Sequence, residues 1–165
     1  MAALGVALAD RLGPLRPDIV LTAEASGIAP ALVTAAALGI PMIYAKKYSP
    51  TVETPALARV IPSPTKGGEV MLSVAARYLG AGMAVAIVDD FLANGRTALA
   101  LAEIVADAEA RLVGAGFVVE KVFQNGRATL EARGIPIAAL ARVARLGRVG
   151  AKHAMGWCQG HHPIA

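Results

Sequence analysis

Apolar residues occur along the chain in two alternating patterns, a helical repeat and short uninterrupted runs. Leu4, Leu8 and Leu12 fall on one face of a helix. Residues 84–88 are instead an apolar run with β-branched side chains, which is typical of a buried parallel strand. Across the sequence these patterns predict helices over 1–12, 28–38 and 126–133, a further helix that begins at 97, and strands over 19–21, 42–45, 57–61, 69–74, 84–88, 116–120 and, partly, 135–144.

The alternation of these elements predicts an α/β fold, a doubly wound and mostly parallel sheet flanked by helices. The strand–helix–strand unit over residues 19–45 should be parallel and right-handed. Residues 57–61 and 69–74 are joined by a Pro- and Gly-rich connection, which predicts a β-hairpin. Because ligands bind such sheets at the carboxyl ends of the strands, polar residues just past those ends are the candidates for chemistry.

The most informative stretch joins a strand, a tight loop and the start of a helix. Asp89 and Asp90 follow the predicted strand over residues 84–88. The turn behind them consists of Ala93, Asn94, Gly95, Arg96 and Thr97. Free backbone N–H groups and the helix dipole make such a turn an anion site, usually for phosphate. Two carboxylates suit neighbouring hydroxyls, or magnesium held through water. A ligand with vicinal hydroxyls and a phosphate, such as ribose 5-phosphate, fits both halves.

Residues 88–97 resemble the 5-phosphoribosyl pyrophosphate (PRPP) motif of type I phosphoribosyltransferases. Within that family, the run Asp-Phe-Leu-Ala-Asn-Gly at 90–95 is most similar to the xanthine enzymes. The resemblance implies that Asp89 and Asp90 hold the ribose hydroxyls and that residues 93–97 cradle the 5-phosphate. The alternative from the residues alone is an ordinary strand-to-helix turn with a solvated acidic pair.

A second loop at a strand end resembles the pyrophosphate-binding loop of the same family. It consists of Glu24, Ala25, Ser26 and Gly27. The xanthine enzymes carry a similar Ser-Gly-Ile-Ala-Pro run, although Ala25 stands where a second serine is common. Lys46 and Lys47 follow the next strand, where the family has basic residues that reach the pyrophosphate. Without the resemblance, the loop is an ordinary β–α turn and the two lysines are equally well explained as solvated.

A third segment, residues 119–127, resembles the part of the xanthine enzymes whose lysine faces the purine base. Lys121 has that position here, and Phe123 could stack on the base. An ammonium group donates hydrogen bonds and accepts none, so it suits an oxygen at purine position 6 and disfavours an amino group. The segment therefore predicts xanthine, guanine or hypoxanthine rather than adenine. The alternative for Lys121 is a surface lysine after a strand.

The composition excludes some classes of function without selecting one. The 165 residues suffice for one domain with a sizeable core, and a hydrophobic content of 56% with only 4% aromatics predicts an aliphatic core. The formal net charge of +4 is compatible with anionic substrates. No run of lysine and arginine resembles a nucleic-acid-binding arm, so we expect no nucleic-acid partner.

Residues 25–45 carry no charge and are long enough to suggest a membrane span. Pro30, Gly39 and Pro41 interrupt them, so we expect a buried helix, a turn and a strand instead. No signal peptide is evident. The single cysteine, Cys158, excludes an internal disulfide and favours a reducing compartment. These features predict a cytoplasmic protein without membrane association.

The resemblance covers about residues 1–146, which we interpret as one core domain, and leaves a tail over 147–165. The tail contains histidines and a cysteine, but their spacing matches no structural zinc pattern, so we expect no metal site there. We expect the tail to be loose or to contact a second copy. Family members usually carry a segment before the first helix that builds a hood over the base. Met1 starts after it, so we expect a truncated hood.

The resemblance implies a purine salvage enzyme that transfers the phosphoribosyl group of PRPP to xanthine, giving XMP and pyrophosphate. It also implies Mg²⁺ bound with PRPP and a homodimer. Two alternatives remain open from the sequence. One is a non-enzymatic regulator that senses PRPP, and the other is an inactive truncated paralogue.

Overall fold

The computed structural model describes residues 1–47, 56–62 and 68–145. Its helices are α1 (Ala2–Leu12), α2 (Ile28–Leu38), α3 (Arg96–Asp107) and α4 (Gly126–Glu131). Its strands are β1 (Ile19–Ala23), β2 (Met42–Ala45), β3 (Ala56–Pro62), β4 (Glu69–Ala75), β5 (Ala84–Leu92), β6 (Arg111–Lys121) and β7 (Ile137–Val143). The predicted tail over 147–165 lies outside the described residues, so the proposed domain boundary stays a prediction, as does the truncated hood.

Five strands form a parallel sheet in the order β2-β1-β5-β6-β7. The strands β3 and β4 pair antiparallel as a separate two-stranded sheet. The predicted α/β architecture with a mostly parallel sheet is therefore confirmed, and so is the predicted pairing of residues 57–61 with 69–74. In this order β5 lies between β1 and β6, so the carboxyl ends of these three strands lie side by side at one edge of the sheet.

Helices cover both faces of the sheet, because the strands are apolar on both sides. Leu8 and Leu12 of α1 pack with Val20, Ala86 and Val88 on one face, and α2 adds buried alanines there. On the other face, buried residues of α3 pack with the sheet and with the β3–β4 hairpin. The residues that form this second core from α3 and the hairpin include Leu101, Ile104, Ile61, Leu72 and Val74.

Strand β5 is longer than its apolar run predicted. It does not end at Val88 but continues to Leu92, since β6 still pairs with it at Phe91↔Val119 and Leu92↔Glu120. Asp89 and Asp90 consequently lie inside the strand and not after it. Neighbouring β1 pairs with β5 only as far as Ile87, which leaves the β1 side of the acidic pair open.

Strand β6 starts at Arg111, five residues before the predicted start. The early part of the strand was not predicted because Gly114 lies in it and Gly116 follows it, and glycine is uncommon in strands. A Cβ at Gly114 would press on Leu15, and one at Gly116 would press on Leu12 and Leu8. These glycines let α1 approach the sheet closely, so they mark a packing site and not a loop. No helix among the described residues is long and apolar enough to span a membrane.

Candidate active site

A cleft lies at the carboxyl ends of β1, β5 and β6, the edge where ligands of such sheets bind. Its volume of about 520 Å³ is in the usual range for small-molecule sites. Its lining residues are Ala23, Glu24, Ser26, Lys47, Asp89, Asp90, Phe91, Leu92, Ala93, Asn94, Gly95, Arg96, Thr97, Ala98, Phe117, Lys121 and Gln124. All three segments that sequence reasoning selected therefore contribute to one cleft.

The carboxylates of the acidic pair accept hydrogen bonds from their own strand. Oδ1 of Asp89 accepts from the N–H of Asp90, and Oδ1 of Asp90 accepts from the N–H of Phe91, each at 2.9 Å. Asp89 is only 9% exposed. Burial, and secondly a hydrogen bond with Asp90, raise the pKa of Asp89 to about 7. At neutral pH the free protein therefore holds Asp89 partly protonated, and a ligand that donates hydrogen bonds to it would favour the carboxylate.

The turn between β5 and α3 has the geometry of an anion site. Gly95 adopts φ +79° as the residue before the helix, a conformation that favours glycine. Oδ1 of Asn94 accepts a hydrogen bond from the N–H of Arg96 at 3.2 Å and so closes the turn. The N–H groups of the first turn of α3 have no partner within the helix. Residues 93–97 all line the cleft.

Helix α4 supports this turn from behind. The N–H of Gly126 donates to the carbonyl of Ala93 at 3.0 Å. A Cβ at Gly126 would collide with that carbonyl, and a Cβ at Gly95 would lie 3.2 Å from the backbone of Gly126. Two glycines in contact thus hold the turn against the start of α4.

The loop between β1 and α2 is tied to the end of β2. The Glu24 carboxylate accepts a hydrogen bond from the backbone N–H of Lys47. The peptide bond between Glu24 and Ala25 is cis. Ser26 and Lys47 line the cleft beside the acidic pair, as predicted for this segment. Lys47 also has an electrostatic effect on Asp89 that opposes the rise of its pKa.

Three residues that sequence reasoning assigned to this loop site do not line the cleft: Ala25, Gly27 and Lys46. The backbone of Lys46 forms an antiparallel bridge with Ser73 of β4. The N–H of each residue donates to the carbonyl of the other at 2.9 Å, so the chain is still extended just after β2. Gly27 has a packing role: a Cβ there would collide with Oγ1 of Thr22 and crowd Oδ1 of Asp89.

The side chain of Thr22 was missed by sequence reasoning. It is fully buried in β1, and its Oγ1 has no hydrogen-bond partner among the described residues. It lies against the same glycine as the Asp89 carboxylate. A threonine inside an apolar strand carries no sequence signal of this kind, since threonine is common in strands.

The β6 side of the cleft contains Lys121 and Phe91. Nζ of Lys121 lies 4.9 Å from the centroid of the Phe91 ring. The predicted stacking residue, Phe123, is exposed in the turn after β6 and does not line the cleft. Sequence reasoning assigned no role to Phe91, although an aromatic residue directly after the acidic pair was a signal for one. Phe91 lines the cleft, and its exposed fraction of 47% equals that of Phe123.

Beside Lys121 lies a buried carboxylate that sequence reasoning also left without a role. Glu120 is 2% exposed and accepts two hydrogen bonds from the guanidinium of Arg127, each at 2.7 Å. Arg142 of β7 contacts the same carboxylate at 3.2 Å. The hydrogen bond from Arg127 holds the pKa of Glu120 below its ordinary value, so Glu120 is ionised.

Comparisons with known proteins agree with this geometry. Residues 7–133 match the family model of the phosphoribosyl transferase domain. The chain is 58% identical to xanthine phosphoribosyltransferase of Chloroflexus aurantiacus over 145 residues, 88% of this chain and 69% of the relative. It is 47% identical to xanthine phosphoribosyltransferase of Deinococcus deserti over 148 residues, 89% of this chain and 77% of the relative.

Solved structures with the same fold include adenine phosphoribosyltransferases. The enzyme of Thermoanaerobacter pseudethanolicus matches with a TM-score of 0.76 and 25% identity, over 86% of this chain and 80% of that one. The enzyme of Saccharomyces cerevisiae, solved with adenine and an imino-altritol bisphosphate, matches with a TM-score of 0.70 and 26% identity, over 84% and 75%. With the family model matching most of its length and close relatives along nearly all of it, the chain belongs to the phosphoribosyltransferase family.

Proposed function

We propose that this protein transfers the 5-phosphoribosyl group of PRPP to xanthine, giving XMP and releasing pyrophosphate. One observation carries the proposal: a single cleft joins the acidic pair, the turn at residues 93–97, Lys47 and Lys121. Each group matches one part of the two substrates. The named activity of relatives that are 47–58% identical supports the same reaction.

In this proposal Asp89 and Asp90 accept hydrogen bonds from the ribose hydroxyls, and residues 93–97 surround the 5-phosphate. The N–H groups at the start of α3 point to the anion, and Thr97 adds a hydroxyl donor. The strand carries the carboxylates and the helix start carries the donors. The spacing between β5 and the start of α3 therefore has to match the fixed distance between the ribose hydroxyls and the 5-phosphate of the substrate.

The leaving pyrophosphate is assigned to the loop of residues 24–27 and to Lys47. Of the two adjacent lysines, Lys47 is the one that lines the cleft. Ser26 offers a hydroxyl in the cleft. The start of α2 adds few donors, because the N–H of Ile28 already donates to the carbonyl of Ala25 and Pro30 has no N–H. Positive charge gathered here stabilises the negative charge that develops on the leaving group.

The transition state should resemble an oxocarbenium ion, with the bond from C1 to pyrophosphate largely broken before the bond to the base nitrogen forms. The carboxylates of Asp89 and Asp90 stand near the ribose and are suited to stabilise positive charge on it. No covalent intermediate with the protein is required. The contribution of the protein is electrostatic preorganisation and positioning.

Magnesium fits this site as an ion that enters with PRPP. No group of three or more potential ligand residues occurs within residues 1–47, 56–62 and 68–145, so these residues alone form no cage for a metal. Mg²⁺ typically binds one or two carboxylates together with substrate phosphates, and Asp89 and Asp90 supply that donor set. When bound, the ion would neutralise charge on the pyrophosphate.

Base selection is assigned to Lys121, with Phe91 as the neighbouring aromatic surface. An ammonium opposite the purine 6-oxygen donates a charge-assisted hydrogen bond. Adenine has an amino donor at that position, so two donors would face each other and one would stay unpaired. Adenine is the base that the assay has to exclude, because the solved structures named above are adenine enzymes. A regulatory role without catalysis is not favoured, since the relatives are named as enzymes.

We propose further that the protein works in the cytoplasm as a homodimer. The single cysteine agrees with a reducing compartment. The homodimer follows from the family resemblance, and sedimentation analysis measures it directly.

The test is a PRPP-dependent assay with xanthine, guanine, hypoxanthine and adenine in parallel, for the wild type and Lys121→Ala. We expect xanthine to be used best and adenine least. Lys121→Ala should reduce this discrimination while its affinity for PRPP stays within about threefold, because the ammonium faces the base and not the phosphates. Phe123→Leu is the matched control and should keep the wild-type order. Best use of adenine, or an unchanged order in Lys121→Ala, would contradict the assignment.

A further inference from the structure

The buried carboxylate of Glu120 has an environment that stability alone explains poorly. It lies at the end of β6, next to Lys121, and Arg127 binds it through two parallel hydrogen bonds of 2.7 Å. A buried ion pair contributes little net stability, because desolvation offsets the attraction. A bidentate pair does, however, define a geometry, since the planar guanidinium fits a carboxylate in one orientation.

Arg127 directly follows Gly126, the residue that supports the turn at residues 93–97 (the phosphate turn). Gly126 donates its N–H to the carbonyl of Ala93 at 3.0 Å, and its Cα side is packed so closely that a Cβ would collide there. Gly126 also contacts Gly95. Two consecutive residues at the start of α4 therefore hold the turn at 93–97 on one side and the end of β6 on the other.

The chain between these two points is short and closed. The N–H of Gln124 donates to the carbonyl of Lys121 at 3.0 Å, so the connection from β6 to α4 is a tight turn. Glu120 and Arg127 therefore close a loop of eight residues that begins beside Lys121 and ends beside the support of the phosphate turn. A displacement of α4 would move both ends of the cleft.

We propose that Glu120 and Arg127 are positioning residues that fix Lys121 and the turn at 93–97 relative to each other. The inference rests on the proposed function of the cleft, and it assigns to this pair a role in both base selection and PRPP binding. Neither residue lines the cleft, so their effect on the substrates is transmitted through Lys121 and Gly126.

The competing explanation is that the pair only stabilises the fold. Two neighbouring residues, Glu131 and Arg142, provide matched controls. Substitution of either one removes a more exposed contact of Arg127 or Glu120 and leaves the pair itself intact. Glu131 contacts Arg127 at 3.1 Å with a side chain 55% exposed, and Arg142 contacts Glu120 with a side chain 58% exposed. The contact of Arg127 with Glu131 is largely exposed and contributes little. Arg142→Gln removes one charge beside Glu120 but leaves both hydrogen bonds from Arg127 in place, so neither control substitution should disturb the bidentate geometry.

The experiment compares Glu120→Gln and Arg127→Lys with the controls Glu131→Gln and Arg142→Gln. Each variant is first characterised by thermal unfolding, and all kinetics and PRPP binding are measured well below its Tm. Glu120→Gln keeps the shape of the side chain, and Arg127→Lys keeps the charge but loses the fork.

We expect both test variants to lose about 10- to 100-fold in kcat/KM for xanthine, the size of effect that misplacement of about 1 Å can have. The Kd for PRPP should rise and discrimination among the bases should fall in the same variants, while both controls stay within about threefold of wild type. A lowered Tm with unchanged PRPP affinity and base order would overturn the proposal. Wild-type kinetics in Arg127→Lys would also overturn it, because charge alone would then be sufficient. An inactive wild type would instead reject the proposed function itself.

Discussion

At the scale of single residues, the carboxyl group of Asp89 has an unusual pKa. A carboxyl group with a pKa of about 7 is disfavoured as an anion, and the first cause is burial in the wall of the cleft. The folded state thus binds a proton at Asp89 more tightly than the unfolded chain does. Its contribution to stability is complete below about pH 4 and is lost as the pH rises to about 7.

The first prediction follows from this loss of stability with rising pH. In metal-free buffer, Asp89→Asn should raise the free energy of unfolding at pH 8 and change it little at pH 4, since the neutral amide mimics the protonated acid. The difference should be on the order of 4 kcal/mol, because one pKa unit corresponds to about 1.36 kcal/mol. Urea unfolding at both pH values measures it. Asp90→Asn is the control and should keep most of the wild-type pH dependence, because it leaves Asp89 buried; equal effects of Asp89→Asn at both pH values would refute the account.

At this scale the sequence was sufficient to select several residues that line the cleft, but not to predict which side chains lie next to them. Asp89, Lys47 and Lys121 were assigned from the chain alone and lie in one cleft. The aromatic wall was assigned to Phe123, whereas Phe91 lines the cleft. Phe91 lies inside β5, because pairing with β6 continues that strand past the acidic pair to Leu92, whereas Phe123 lies beyond the end of β6. This pairing cannot be read from either local sequence.

At the scale of elements, the site depends on contact between the start of α3 and the start of α4. Gly95 needs both its positive φ and its missing Cβ, since a side chain would press on Gly126. The sequence marked Gly95 as a turn residue. The partner glycine could not be identified, because Gly126 is 31 positions away and only the packed structure brings the two together.

The second prediction compares Gly95→Ala with Gly82→Ala. Both glycines have nearly the same φ, +79° and +78°, so an alanine should cost about 1–2 kcal/mol of backbone energy at either position. A Cβ at Gly82 would meet no atom within 4 Å, whereas one at Gly95 would press on Gly126. Calorimetry should therefore show a weaker affinity for PRPP in Gly95→Ala, at least about tenfold by the cost of misplacing a binding turn, and an unchanged affinity in Gly82→Ala. Equal affinities in both variants would show that the contact with Gly126 does not shape the turn.

At the scale of the whole molecule, the order of the strands decides where the chemistry lies. Alternating patterns of helix and strand were sufficient to predict a mostly parallel sheet, because each element buries an apolar face. They could not predict that β5 would lie between β1 and β6. That order brings residues 24–27, the acidic pair and Lys121 to one edge, although nearly a hundred positions separate Glu24 from Lys121.

The β3–β4 hairpin is attached to the sheet through α3 and through the backbone pairing of Lys46 with Ser73. Arg59 of β3 contacts Glu103 at 3.2 Å and Asp107 at 2.6 Å, and apolar residues of the hairpin join the core beneath. Sequence reasoning predicted the hairpin but not this attachment, since charged residues on a strand and on a distant helix carry no signal of their pairing.

We propose that one cleft recognises the ribose hydroxyls through Asp89 and Asp90 and the 5-phosphate through residues 93–97. Calorimetry of PRPP and of inorganic phosphate, on wild type and the Asp89→Asn/Asp90→Asn double variant, tests it most directly. Each lost charge-assisted hydrogen bond should weaken PRPP by about 1.5–3 kcal/mol, while phosphate, which never touches the carboxylates, should bind at least as well as before. Parallel loss of both ligands, or no loss of PRPP affinity, would contradict the division of the cleft into these two halves.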